Sequence, residues 1–169
     1  WLFENIPYYL NLYDIWSSYG VESDGVVIAY TSVYGHTEKA VNMLKAELEN
    51  KGVKVPVFDL ARCDMAEAVE DAFRYGKLVL ATTTYNGDIF PFMKEFINHL
   101  TERNYQNRTV AFIENGTWAP TAAKVMQTML SNSKNLTFAE NTVHIKSALN
   151  DESIAQINAL SNELCKEYK

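Results

Sequence analysis

Residues 25–50 read GVVIAYTSVYGHTEKAVNMLKAELEN, and three textures follow one another in that stretch. Val26-Val27-Ile28-Ala29-Tyr30 is a short unbroken apolar run, the pattern of a strand covered on both faces. Thr31 to Glu38 is polar and carries a single glycine, Gly35. From Thr37 to Asn50 apolar residues return at helical spacing, with Val41, Leu44 and Leu48 on one face and Gly52 placed to close the helix. Buried strand, polar loop and amphipathic helix together open a βαβ unit.

The same alternation continues outward. Val53–Phe58, Leu78–Ala81 (running into Thr82-Thr83-Thr84), Thr109–Ile113 and a weaker Thr142–Lys146 read as further strands. Met65–Tyr75, Phe92–Glu102 with Pro91 suited to its first turn, Thr121–Leu130 and Asp151–Glu167 read as helices. The last is expected to bury Ile154, Ile157, Leu160 and Leu164. On the amino-terminal side, Asn5–Tyr19 reads as an amphipathic helix on Leu10, Tyr13 and Trp16, closed by Gly20 and followed by the polar linker Val21–Gly25. From Gly25 onward, five strands alternate with five helices, which predicts an α/β domain with a doubly wound, five-stranded parallel sheet. In such a fold ligands bind beside the carboxyl ends of the strands, where the winding direction reverses. The loops after strands one, three and four are therefore the ones to read.

Composition narrows the function classes. With 169 residues, 47% of them hydrophobic, the chain suffices for one well-cored domain. A net charge of −6 argues against nucleic acid and anionic membrane surfaces, since phosphate binding needs a positive field. The two cysteines, Cys63 and Cys165, have neither metal nor C-x-x-C spacing, and free thiols in a reducing cytoplasm are the expectation. No run of about twenty apolar residues marks a membrane span, and the start of the chain lacks a signal-peptide pattern. Trp1 in first place suggests a piece of a longer chain. His36, His99 and His144 are scattered without carboxylate–histidine spacing, so no metal site is expected.

The three loops carry the chemistry. In the first, hydroxyls at Ser32 and Thr37 and successive backbone N–H groups at a helix start can wrap one phosphate, with Gly35 permitting close approach and His36 able to donate. The loop lacks the Walker lysine, which speaks against ATP or GTP. The second, Thr83-Thr84-Tyr85-Asn86-Gly87-Asp88-Ile89-Phe90-Pro91, carries an aromatic next to an Asn-Gly turn. The third, Glu114-Asn115-Gly116-Thr117-Trp118-Ala119-Pro120, again has a glycine turn followed by a large aromatic. Each loop alone is also readable as plain packing. A phosphate cradle with aromatics on two neighbouring loops points to a planar, monophosphorylated ligand.

Ser32-Val33-Tyr34-Gly35-His36-Thr37 followed by Glu38 resembles the flavodoxin phosphate loop, commonly S/T-x-T-G-x-T and an acidic residue. Tyr34 departs from it and removes one hydroxyl. An aromatic there, with Thr84-Tyr85-Asn86-Gly87, Phe90-Pro91, Met93-Lys94 and Asn115-Gly116-Thr117-Trp118, is similar to the flavodoxin domain of flavodiiron proteins. The resemblance covers Gly25 to the C-terminus and implies a flavodoxin-like sheet of strand order 2-1-3-4-5 holding flavin mononucleotide (FMN). It implies that residues 1–24 are the helix and linker of a preceding metallo-β-lactamase-like domain and that 25–169 are the FMN domain. It further implies phosphate on Ser32, Val33, Tyr34, Gly35, His36 and Thr37. Tyr85 and Trp118 would flank the isoalloxazine, Thr83, Thr84, Asn86 and Gly87 would line its edge and ribityl chain, and Asn115, Gly116 and Thr117 would meet the pyrimidine side. Electrons would come from a reductase or rubredoxin-like donor and pass to a diiron domain, with homodimers in the full-length family. No acid–base catalytic residue is expected, because the chemistry belongs to the flavin.

Three rivals remain. An NAD(P)H-dependent FMN or quinone reductase of the same fold needs an open flavin face, which two aromatic walls oppose. A response-regulator receiver needs acidic residues where Thr31-Ser32 and Thr82-Thr83 stand. A domain whose site has decayed would hold no flavin.

Overall fold

Along each central strand, successive side chains point to opposite sides, and each side feeds its own core. The computed structural model describes residues 5–166. Strand β1 (Ser23–Tyr30) sends Val26, Ile28 and Tyr30 to one core and Val27 and Ala29 to the other. Helices α2 (His36–Asn50) and α6 (Asp151–Leu164) cover the first core through Ala40, Val41, Leu44, Leu48, Ile157, Leu160 and Leu164. Helices α3 (Met65–Arg74), α4 (Pro91–Glu102) and α5 (Ala122–Met129) cover the second, with Phe96 and Tyr105 among its largest fully buried side chains. The apolar runs read from the sequence are therefore the inner layer of a three-layer α/β/α sandwich.

The sheet contains seven strands where five were expected. Its spine runs β2 (Val57–Asp59), β1, β3 (Tyr75–Tyr85), β5 (Thr109–Asn115), β6 (Thr137–Phe138). Strand β7 (Val143–Ile145) also pairs parallel with β5, and β4 (Asp88–Ile89) pairs antiparallel with β3. The order 2-1-3-4-5 thus holds only in outline, because its last position is divided between β6 and β7. The division has its cause in the last helix. The backbone N–H groups of Glu140 and Asn141 donate to the Glu163 carboxylate at 2.7 and 3.0 Å, so they are withdrawn from the ladder. At the other edge β2 is shorter than the expected Val53–Phe58, since Pro56 has no N–H to give a ladder.

Strand β4 arises from Asn86-Gly87, which closes a two-residue hairpin between Tyr85 and Asp88. Both central residues have positive φ, 50° and 75°, the signature of a type I′ turn whose twist suits the paired strands. A Cβ at Gly87 meets open space, so Gly87→Ala is expected to cost only backbone strain, about 1 kcal/mol. Urea unfolding of the FMN-free chain measures it, and a cost near zero would mean that the turn relaxes.

At the amino-terminal side, α1 (Ile6–Ser17) buries none of its residues, and Leu10, Tyr13 and Trp16 are all exposed. The left-handed residue after it is Tyr19, with φ 55°, rather than Gly20, where an added Cβ would come within 3.3 Å of Ile15 Cγ2. Arg108 anchors this end. Its buried guanidinium donates to the carbonyls of Tyr19, Gly20 and Phe73 at 2.7, 2.9 and 2.6 Å. In α6, Ile154 is half-buried where full burial was expected, and Glu167 lies outside the described residues.

Candidate cofactor site

Parallel register brings the three loops to one edge. Tyr30 pairs with Ala81, and Thr83 with Asn115, so β1, β3 and β5 end side by side and release their loops together. This is the reversal point of the doubly wound sheet, with α2 on one face and α3, α4 and α5 on the other.

In the first loop, Ser32 Oγ accepts the backbone N–H groups of Gly35 and Glu38 at 3.1 and 3.4 Å. Those amides converge at the start of α2, where the helix dipole favours an anion. Gly35 sits at φ 83° with open space around it, which leaves the cradle accessible. Val33 and Tyr34 are exposed, and His36 is half-buried. Thr37 faces inward, 3.5 Å from Thr83 Oγ1 and 3.4 Å from Asn115 Nδ2, and so joins all three loops.

The second loop is held by Thr84 Oγ1, which accepts the Thr121 N–H at 3.2 Å, while Tyr85 stands half-exposed, edge-on to Phe90. Asn86 and Gly87 are exposed at the hairpin tip. In the third, Asn115 is buried and accepts the Ser147 N–H at 3.2 Å, and Gly116 donates to the Ile145 carbonyl at 2.9 Å. Thr117 Oγ1 lies 2.5 Å from Ser147 Oγ. Trp118 is 89% exposed. A large ring left in water beside an anion cradle is an apolar surface suited to a flat partner. The donor set and the exposed rings fit a phosphate-bearing planar group.

Sequence reasoning missed several supporting residues. Thr31 and Thr82 share a buried hydroxyl contact of 2.6 Å beneath the site, and Ser147, at φ 69°, backs the third loop. Neither has a local pattern that announces it. Tyr30 was read only as core. Its phenol is pushed up to about 12 from 10.0 by burial first, then by the carboxylates of Asp59 and Glu38. The folded state therefore keeps a proton that the unfolded chain loses. Its contribution to stability is constant below pH 10 and falls between about 10 and 12. Urea unfolding across that range is expected to show the fall, and Tyr30→Phe to reduce it.

Residues 27–150 match the profile of the flavodoxin domain. The chain belongs to the flavodoxin domain family. This flavodoxin domain is accordingly an FMN-binding flavoprotein. Its fold is shared with rubredoxin oxygen:oxidoreductase from Desulfovibrio gigas at a TM-score of 0.79 and 18% identity, over 85% of this chain and 36% of that one. A flavo di-iron protein variant from Thermotoga maritima matches at 0.74 and 24% identity, over 95% of this chain and 41% of that one. Oxidised flavodoxin 1 from Bacillus cereus matches at 0.69 and 15% identity, over 87% of this chain and all of that one. The domain thus spans less than half the length of the rubredoxin oxygen:oxidoreductase and of the flavo di-iron protein, and the full length of the flavodoxin. No curated protein sequence matches the chain. Among the described residues no helix is long and apolar enough to cross a membrane, and Cys63 and Cys165 are free.

Proposed function

We propose that the flavodoxin domain is an electron-transfer module that takes electrons from a redox protein, a reductase or a rubredoxin-like donor, and passes them to the diiron centre of a flavodiiron oxygen or nitric oxide reductase. The observation that carries the reading is the convergence of three loops, one an anion cradle and two bearing exposed aromatics, at the reversal point of the sheet. Similarity to the diiron relatives supports the choice of acceptor. In this reading residues 1–24 are the helix and linker that follow a metal-bearing domain, residues 25–169 are the flavin domain, and the intact protein works as a homodimer in the cytoplasm.

FMN supplies reversible electron uptake when bound, and this chain's residues hold and orient it. Backbone amides from Ser32 to Thr37 and the Ser32 hydroxyl receive the phosphate. His36 adds a donor, and Thr37 works from beneath by holding the loops together. Tyr85 and Trp118 flank the ring. Thr83, Thr84, Asn86 and Gly87 line its edge and ribityl chain, and Asn115, Gly116 and Thr117 face its pyrimidine side.

The test has two stages. The purified domain is mixed with excess FMN, freed of unbound flavin and examined by absorbance. Retention of one FMN per chain is expected. The loaded domain is then mixed anaerobically with NADPH alone and with NADPH plus an NADPH-dependent donor reductase. Bleaching only when the reductase is present supports the module. Bleaching by NADPH alone would make the domain a reductase instead.

A further inference from the structure

Among the described residues Glu114 is the one carboxylate that is buried, at 3% exposure, and it is the last residue before the Asn115–Trp118 loop. We propose that Glu114 is a positioning residue for the flavin: its carboxylate latches the Asn115–Trp118 loop from below, and its charge opposes electron uptake by the ring above. This rests on the reading of residues 115–118 as the pyrimidine-side loop.

Three observations carry the latch. Glu114 Oε2 accepts the Ala123 N–H at 2.7 Å, in the first turn of α5. That turn has no cap of its own, since Thr121 makes no side-chain capping bond and its buried Oγ1 has no partner among the described residues. Glu114 therefore supplies the missing acceptor, from the strand at the other end of the loop. One carboxylate oxygen thus fixes where the loop ends relative to where it begins. The other oxygen, Oε1, lies 2.5 Å from His144 Nδ1 on β7, the strand that feeds Ser147 to Asn115 and Thr117. His144 is itself set by its backbone N–H, which donates to Gln156 Oε1 at 2.7 Å. The strand before the loop, the helix after it and β7 beside it thus meet at one carboxyl group.

An aliphatic side chain packs well at this depth, and burying a carboxylate carries a desolvation cost. Its position at the root of the loop read as the pyrimidine-side contact gives that cost a consequence. A fixed negative charge near the ring disfavours the added electron, so the reduced form binds less tightly relative to the oxidised form. Glutamine preserves the shape and the acceptor for Ala123 while removing the charge. Alanine removes both. The two substitutions separate positioning from electrostatics.

The experiment uses Glu114→Gln and Glu114→Ala in a background of Trp1→Phe and Trp16→Phe, so that Trp118 is the sole tryptophan emitter. Glu114→Ala is expected to weaken FMN binding by about tenfold and to increase Trp118 mobility in time-resolved anisotropy of the FMN-free chain. Glu114→Gln is expected to restore both to within about threefold and yet to raise the midpoint potential, with the ratio of reduced to oxidised FMN affinity rising about tenfold. Unchanged Trp118 mobility in Glu114→Ala overturns the latch, and an unchanged potential in Glu114→Gln overturns the electrostatic role. Failure of the unsubstituted chain to retain FMN overturns the cofactor reading and the electrostatic role together. The anisotropy of the FMN-free chains then still decides the latch.

Discussion

Ser32→Asp is expected to weaken FMN binding more than about a hundredfold, close to 2.7 kcal/mol, while making the FMN-free chain more stable. The opposite signs follow from one geometry. Ser32 Oγ already accepts the N–H groups of Gly35 and Glu38 at the start of α2. A carboxylate in that place is a better acceptor and meets the positive end of the helix dipole, an effect of about 0.5–1 kcal/mol. It also occupies the position of the phosphate with charge of the same sign, and two such charges at close range repel by a few kcal/mol in a partly desolvated site. Isothermal titration with FMN and urea unfolding of the apo chain read the two effects separately. Equal FMN affinity in both proteins would place the phosphate elsewhere. Ser32→Ala is the milder control, expected to lose about tenfold in affinity with a small loss of stability.

Trp118→Ala is expected to raise the FMN dissociation constant about ten- to a hundredfold, the scale of one aromatic stacked on a planar base-like ring. Stability of the apo chain should stay within about 0.5 kcal/mol, because an indole that is 89% exposed contributes little to the core. Tyr85→Ala should mix the two effects, since Tyr85 also rests edge-on against Phe90 at the base of the hairpin. A pair of variants in which only Tyr85 affects FMN affinity would remove Trp118 from the ring's contacts.

The central strands were legible because burial on both faces leaves an unbroken apolar run, as in Val26–Ala29 and Leu78–Ala81. The sheet margins were not, because distant side chains decide them. Glu163, on the last helix, takes the amides that would have joined β6 to β7. Two-residue β4 is too short to show alternation, although Asn86-Gly87 announced its turn. Tyr19 adopts a backbone conformation that favours glycine while Gly20 follows it, so the helix end was read two residues late.

The site divides along the same line. Loop positions and the exposed aromatics could be read locally, because strand, glycine and helix start are contiguous in sequence. Side-chain direction could not. Thr37 turns inward to Thr83 and Asn115, contacts that exist only after β1, β3 and β5 align. Glu114 reads locally as a polar loop residue, and only the return of β7 and α5 reveals it as a latch.

The placement of α1 sets a limit on electron routes. Arg108 fastens the Tyr19–Gly20 carbonyls beside the first residues of β3 and β5, at the amino-terminal edge of the sheet. From there the eight residues of β1 carry the chain about 26 Å to the cofactor loops. Tunnelling rates fall exponentially with separation, and this gap is occupied by aliphatic side chains such as Val26 and Ile28 rather than by redox groups. A group joined to the domain through α1 and held near that attachment is thus wired to the wrong pole. In the proposed function, rapid exchange with the flavin comes from a molecule, or a second subunit, that approaches the opposite end.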